Sequence, residues 1–190
     1  MKNLFALLLI ATASLLTLQA QSYKIKPGQV QANVGIGLVP TYAADATRTI
    51  VPPVSASVEV FITPNLSIGT YAAYARATGS STYLNAGITE TYDNTTIMLG
   101  VRPTIHSNDL NDWRVYGGFT IGASIPSVDI EVTDDEKTEN TPSFTRPNSP
   151  NAFLFSGFVG ARRALNENLT LFGEVGFGIS LANVGVGYKF

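Results

Sequence analysis

The sequence predicts an all-β fold, an eight-stranded antiparallel up-and-down transmembrane β-barrel, from three observations. Apolar residues alternate with small or polar ones through eight segments, the period of a strand with two unlike faces. No apolar run after residue 20 approaches the roughly 18 residues that a membrane helix needs. Apart from the short link after the seventh, the links between segments alternate between short turns and longer polar stretches, an asymmetry of membrane barrels.

The chain opens with a leader. Met1-Lys2-Asn3 is a short basic head, Leu4 to Leu18 is apolar apart from Thr12, Ser14 and Thr17, and Ala20 supplies a small residue before Gln21. This is the pattern of a secretory signal peptide, expected to span residues 1–20 and to leave a barrel domain over residues 21–190. There is no cysteine, which excludes a disulfide scaffold, a lipid-anchored cysteine and thiol chemistry. Without Lys2 the remaining chain carries 11 basic and 14 acidic residues, a net charge of −3. A nucleic-acid partner would want a basic face, so none is expected.

The first segment, Val30 to about Tyr42, sets Val30, Ala32, Val34, Ile36 and Leu38 against Gln31, Asn33, Gly35 and Gly37. The second, Val54 to Thr63, sets Val54, Val58, Val60 and Ile62 against Ser55, Ser57, Glu59 and Phe61. Pro64-Asn65 turns the chain into the third, Leu66 to about Thr78. The fourth, roughly Tyr92 to His106, places Ile97, Leu99, Val101, Pro103 and Ile105 opposite Met98, Gly100, Arg102, Thr104 and His106. The fifth starts at Trp113, with Phe119, Ile121, Ala123 and Ile125 against Arg114, Tyr116, Thr120 and Gly122. Pro126 breaks its phase, and Val128, Ile130 and Val132 resume it one residue out of step. A bulge, or a strand projecting beyond the membrane, is expected there.

The sixth segment, Asn151 to Leu165, is the least regular, because Leu154 and Phe158 fall on the phase of Gly160 and Arg162. In the seventh, Leu169, Leu171, Val175, Phe177 and Ile179 oppose Thr170, Glu174, Gly176, Gly178 and Ser180. The eighth, Ala182 to Phe190, sets Val184, Val186, Tyr188 and Phe190 against Asn183, Gly185, Gly187 and Lys189.

The faces differ in a way that separates two kinds of barrel. A soluble barrel would turn its large apolar side chains inward. Here the large apolar residues share one face, and glycine, serine, glutamate and arginine share the other. Most of the 17 glycines, including Gly35, Gly100, Gly122, Gly160 and Gly185, lie on that polar phase. An eight-stranded barrel is only wide enough inside for side chains, so bulky inward residues need glycines beside them. The apolar face is therefore assigned to lipid. Trp113, Tyr188 and Phe190 at the short-turn end, and Phe153, Phe155, Phe177, Tyr42, Tyr74 and Tyr92 toward the other, would form its aromatic girdles. Arg163 would point outward and snorkel to headgroups.

The inward phase carries Glu59, Arg102, Arg114, Arg162, Glu174 and Lys189. Arg162 and Glu174 flank one hairpin and should meet directly or diagonally. Buried charge is costly unless paired, so a paired network filling the lumen is the first reading. A gate, in which re-pairing of these groups opens a narrow water path, is the alternative. The one histidine, His106, stands beside Ser107 and Asp109, and is read as a solvated turn residue rather than a catalytic base. Asp134, Asp135 and Glu136, with Glu131, could bind a divalent cation. They lie in an external loop rich in Asn, Pro and Thr, where solvated charge is the better account, so neither metal nor cofactor is expected.

The strand pattern, the run from Gly160 to Gly176 and the closing Gly-Val-Gly-Tyr-Lys-Phe resemble small bacterial outer-membrane β-barrel proteins of the OmpA-barrel and OmpX type, in the form common in Bacteroidetes-like bacteria. The resemblance implies residence in the outer membrane after export, with membrane lipid as the surrounding partner. It implies that the terminal aromatic, here Phe190, is part of the signal read by the barrel-assembly machinery. Because the sequence stops at the barrel, the peptidoglycan-binding domain that many OmpA-type proteins carry is expected to be absent. The expected role is structural, or surface interaction through the external loops, as a monomer without catalysis. A narrow pore is the second expectation and a lipid-modifying enzyme the third.

Overall fold

A computed structural model describes residues 24–41, 48–83, 88–110, 112–133 and 152–190. Eight strands run in sequence order: β1 (Val30–Gly37), β2 (Arg48–Thr63), β3 (Leu66–Tyr83), β4 (Ile88–His106), β5 (Trp113–Thr133), β6 (Ala152–Ala164), β7 (Leu169–Gly176) and β8 (Ala182–Lys189). Each pairs antiparallel with the next, and β8 closes on β1, so the predicted eight-stranded barrel forms with no open edge.

Register carries the alternation around the wall. Val34 pairs Ala56, Ala56 pairs Ala72, Ala72 pairs Leu99 and Leu99 pairs Ala123, a belt of small and branched apolar residues on one face. That face is outside. Ile105, Phe153, Phe155, Val175 and Phe177 are each more than 60% exposed, whereas Phe61, Gln31, Ser67 and Thr170 are fully buried inside. An apolar exterior of this extent needs lipid as its solvent, and the fold is that of a transmembrane barrel. The expected girdle residues Trp113, Tyr188 and Phe190 are exposed at the short-turn end, and Tyr188 stacks edge-on against Phe190. Tyr42 and the Tyr92 side chain lie outside the described residues, as do residues 1–20.

The strands differ in height. β1, β7 and β8 have 8 residues each, whereas β2, β3, β4 and β5 have 16, 18, 19 and 21. Stretches read as loops, Arg48 to Pro53 and Gly79 to Thr91, are largely ladder instead: β3 and β4 stay paired as far as Tyr83 and Ile88. Arg48-Thr49-Ile50-Val51-Pro52-Pro53 and Gly79-Ser80-Ser81-Thr82 carry no regular apolar–polar alternation, so periodicity could not reveal them.

Two further expectations are corrected. No bulge lies at Pro126, because Ile97↔Ile125 and Asn94↔Val128 keep a single register across it. The β5–β6 pairs end at Ser124↔Ala152, so Pro126 stands where a missing N–H is tolerated. The register shifts lie in β2 instead, around Pro52 and Pro53 and again near Phe61. Finally, Ile179 points inward rather than outward, being 1% exposed. β7 ends at Gly176, and the following link folds over the rim with Ile179 and Ser180 both buried. No flat strand can bury two consecutive residues on one side.

Candidate functional site

The lumen is the candidate site, and the described residues fill it at three levels. At the short-turn end the segment before β1 brings Ile25 against Phe61 and Ala164. Gly28, at φ +83, allows the tight entry that lets its N–H donate to the Phe61 carbonyl at 2.7 Å. At the opposite end Ile179 packs on Ala73 and Ala75, with Tyr71 and Met98 beside them. The Ser180 hydroxyl holds this link by donating to the Val39 carbonyl at 2.8 Å.

Between the two plugs the charged residues meet across the barrel. Arg162 on β6 reaches Glu59 on β2 at 2.9 Å and also donates to Gln31. Glu59 further accepts from the Ser67 hydroxyl at 2.6 Å and from Asn33 at 3.3 Å. Arg102 on β4 reaches Glu174 on β7 at 2.7 Å, and Tyr116 donates to the other Glu174 oxygen at 2.8 Å. Tyr116 links the two pairs, because the Arg162 guanidinium lies over its ring at 4.4 Å. Arg102 in turn covers the Phe158 ring at 3.6 Å. Two cations and two anions therefore balance, with rings completing the desolvated surroundings.

The hairpin of β6 and β7 sets Arg162 opposite Phe172 and Glu174 opposite Gly160, so the two charges are diagonal neighbours. Arg114 stands apart from this network. It is buried at the short-turn end, pairs with Asp109 at 2.7 Å and donates to the Pro64 carbonyl. Lys189 lies there too, its ammonium 3.4 Å from the Lys24 carbonyl. Phe190 is 70% exposed, and its N–H donates to the Val30 carbonyl.

His106 is not the solvated turn residue expected. It closes β4 on the inward phase, is 2% exposed, and lies between the Phe61 and Tyr116 rings. Its Nε2 is 2.8 Å from the Ser67 oxygen, whose proton goes to Glu59. The histidine therefore donates from Nε2, while Nδ1 is buried without a hydrogen-bond partner. A catalytic relay needs the ring to bridge hydroxyl and acid through its two different nitrogens. Here the serine bridges the other two groups, so the arrangement is a structural clasp. Asp134, Asp135 and Glu136 lie outside the described residues, and the Glu131 side chain is likewise undescribed. Among the described residues no group of acids and histidines is arranged to hold a metal ion.

Two voids among the described interior residues measure about 20 Å³ and 10 Å³, each the room of a water molecule. Glycines let the walls come this close. A Cβ on Gly160 would stand 2.7 Å from Tyr116 Cζ and 2.8 Å from Glu174 Cγ.

No family model matches the sequence, and no curated protein is significantly similar to it. Among solved structures, the outer membrane protein OprG from Pseudomonas aeruginosa aligns over 90% of this chain and 99% of its own, with 14% identity and a TM-score of 0.56. This chain has the fold of an outer-membrane β-barrel. The attachment invasion locus protein Ail of Yersinia pestis, in a phospholipid bilayer nanodisc, aligns over 86% of this chain and 99% of its own, at 12% identity and a TM-score of 0.48. A de novo designed transmembrane β-barrel aligns over 88% of this chain and 99% of its own, at 17% identity and 0.47. The assignment of fold rests on OprG.

Sequence reasoning missed Gln31, Asn33, Ser67 and His106 as members of the network. Their inward phase was visible, but polar neutral residues on a polar face do not announce a partner. His106 was further masked by the polar turn that follows it.

Proposed function

We propose that this protein is an integral barrel of the bacterial outer membrane, of the OmpA-barrel and OmpX-like kind, exported by a leader over residues 1–20. Its role is structural or one of surface interaction, without catalysis and without conduction. The observation that carries this reading is the lumen blocked at three levels, at Ile25–Phe61, at the crossed pairs Glu59–Arg162 and Arg102–Glu174, and at Ile179. The two voids beside these pairs are water-sized and the Ser67–His106 contact is buried, which supports this reading. The tall wall of β2 to β5 would project beyond the lipid and supply the surface for a ligand of the external loops. The barrel is a monomer in this reading, with Phe190 presented to the assembly machinery during biogenesis.

Planar-bilayer recording tests the blocked lumen against the gated pore. Purified barrel is expected to show no conductance steps, and Glu174→Ala is expected to show none either. Steps that arise or change in Glu174→Ala would establish the gate, because that substitution frees Arg102 from its carboxylate.

A further inference from the structure

The chain ahead of β1 carries more order than a strand entry needs. Lys26, Pro27, Gly28 and Gln29 form a tight turn. The Gln29 N–H donates to the Lys26 carbonyl at 3.2 Å, and the Lys26 N–H donates to Gln29 Oε1 at 3.0 Å. Proline in second place and a glycine at φ +83 in third are the signature of a type II turn. β2 holds this turn from both sides. The Gly28 N–H donates to the Phe61 carbonyl at 2.7 Å, and the Phe61 N–H donates to the Gln29 carbonyl at 2.9 Å.

The turn folds Lys24 and Ile25 back across the short-turn mouth. Lys24, Lys26 and Pro27 are exposed, whereas Ile25 between them is buried. Ile25 clusters with Phe61 of β2 and Ala164 of β6, strands four places apart in a ring of eight and so on opposite walls. The Lys24 carbonyl faces the Lys189 ammonium of β8 at 3.4 Å. Anchors on β2, β6 and β8 stand together only in a complete ring, so this segment seats after β8 has met β1. Fully buried Phe61 then separates Ile25 from His106, whose ring centre lies 4.9 Å from that of Phe61. The His106 side chain has no exposure, and its Nδ1 has no hydrogen-bond partner.

We propose that Lys24 to Gln29 is a strap that closes over the short-turn mouth, hinged at Gly28 and pinned by Ile25, and that it keeps solvent from the His106–Ser67–Glu59 cluster. The strap opens more easily than the wall around it. One apolar side chain and a few hydrogen bonds hold it, whereas each strand of the wall is bonded along both edges to its neighbours. Opening removes the floor under Phe61, and His106 is the next side chain that solvent would meet. The proposal rests on the lowest of the three levels in the reading above, and not on the other two.

The chain has one histidine, which makes His106 its own reporter. Diethyl pyrocarbonate acylates an imidazole nitrogen that carries a free lone pair, and site-resolved mass spectrometry of the full barrel in detergent gives the rate at His106. Each sample is first checked for a shift in gel mobility on heating, the mark of a folded barrel. Wild-type His106 is expected to react at least about a hundredfold more slowly than in the urea-unfolded chain, and Ile25→Ser and Gly28→Ala should each raise the folded rate by about tenfold. A Cβ on Gly28 meets nothing within 4 Å, so this substitution acts through the backbone at φ +83 and leaves the wall intact. Gly157→Ala, whose Cβ also meets nothing, and Ile179→Ala, at the opposite end, should leave the rate as in wild type. A folded wild type that reacts as fast as the unfolded chain, or strap variants that react as slowly as wild type, would overturn the strap. An equal rise in Ile179→Ala would assign the protection to overall stability and overturn it too. If Ile25→Ser loses the heat shift, Gly28→Ala decides alone. The readout needs no conductance, so the strap can fail while the blocked lumen stands.

Discussion

Glu59 shows how a charge is kept inside a barrel. It is 6% exposed and accepts from Arg162, Ser67 and Asn33, donors drawn from three other strands. Removing one partner of a buried pair costs about 3–5 kcal/mol, because the other charge loses its compensation. Glu59→Ala should therefore lower the denaturation midpoint of the refolded barrel by a shift of that size. Glu59→Gln, which can still accept from Ser67 and Asn33, should lose less. The inward glycines make the complementary case. Gly160→Ala would press on Tyr116, Glu174 and the Gly173 carbonyl, and overpacking of this kind costs about 1–3 kcal/mol. Gly157 has nothing within 4 Å of an added Cβ, so Gly157→Ala should leave the same midpoint unchanged.

At the scale of elements, the link between β7 and β8 matters more than its length suggests. Ser180 bridges to Pro40, and the Thr41 N–H donates to the Ile179 carbonyl, tying the link to the chain after β1. Ile179 fills the upper lumen as a result. Ile179→Ala should cost about 2–5 kcal/mol, the range for truncating a buried branched side chain. Phe177→Ala, two residues away but 75% exposed, should cost much less in the same unfolding measurement. This element was hidden in the sequence. Its alternation runs smoothly from Leu169 to Ile179, and nothing local marks the turn at Gly176 where the phase stops being meaningful. At Pro126 only one of the two expectations, the bulge, is overturned. A proline that breaks an apolar phase suggests a bulge, but the phase changed there because the apolar outer face had ended, not because the register had slipped.

For the whole molecule, closure and polarity reversal act together. Each strand buries its small and polar face only because seven others complete the ring, and β1 pairing with β8 removes the last edge. The exterior left by this closure is a continuous apolar band, so the protein should require detergent or lipid to stay dispersed. Unheated samples should migrate differently from boiled ones on a denaturing gel. A chain soluble without detergent, with mobility unchanged by heating, would overturn the assignment of its outer face to lipid. The uneven strand heights also give the molecule a direction around its axis. Its tall side is β2 to β5, and its upper lumen is capped by the link bearing Ile179.

The sequence by itself determined the strands, their number, the lipid-facing side and the inward set Glu59, Arg102, Arg162 and Glu174. Those properties follow from a period of two, which is local and survives in any environment. It could not determine which charges meet, because partners across a lumen are separated by as many as 103 residues and share no pattern. Tertiary structure alone decided that Arg162 meets Glu59, that Arg102 meets Glu174, that His106 is enclosed, and that Ile25 and Ile179 close the ends. Those outcomes depend on barrel closure and on the stagger of strands within it. Both are set by the sheet as a whole rather than by any one segment.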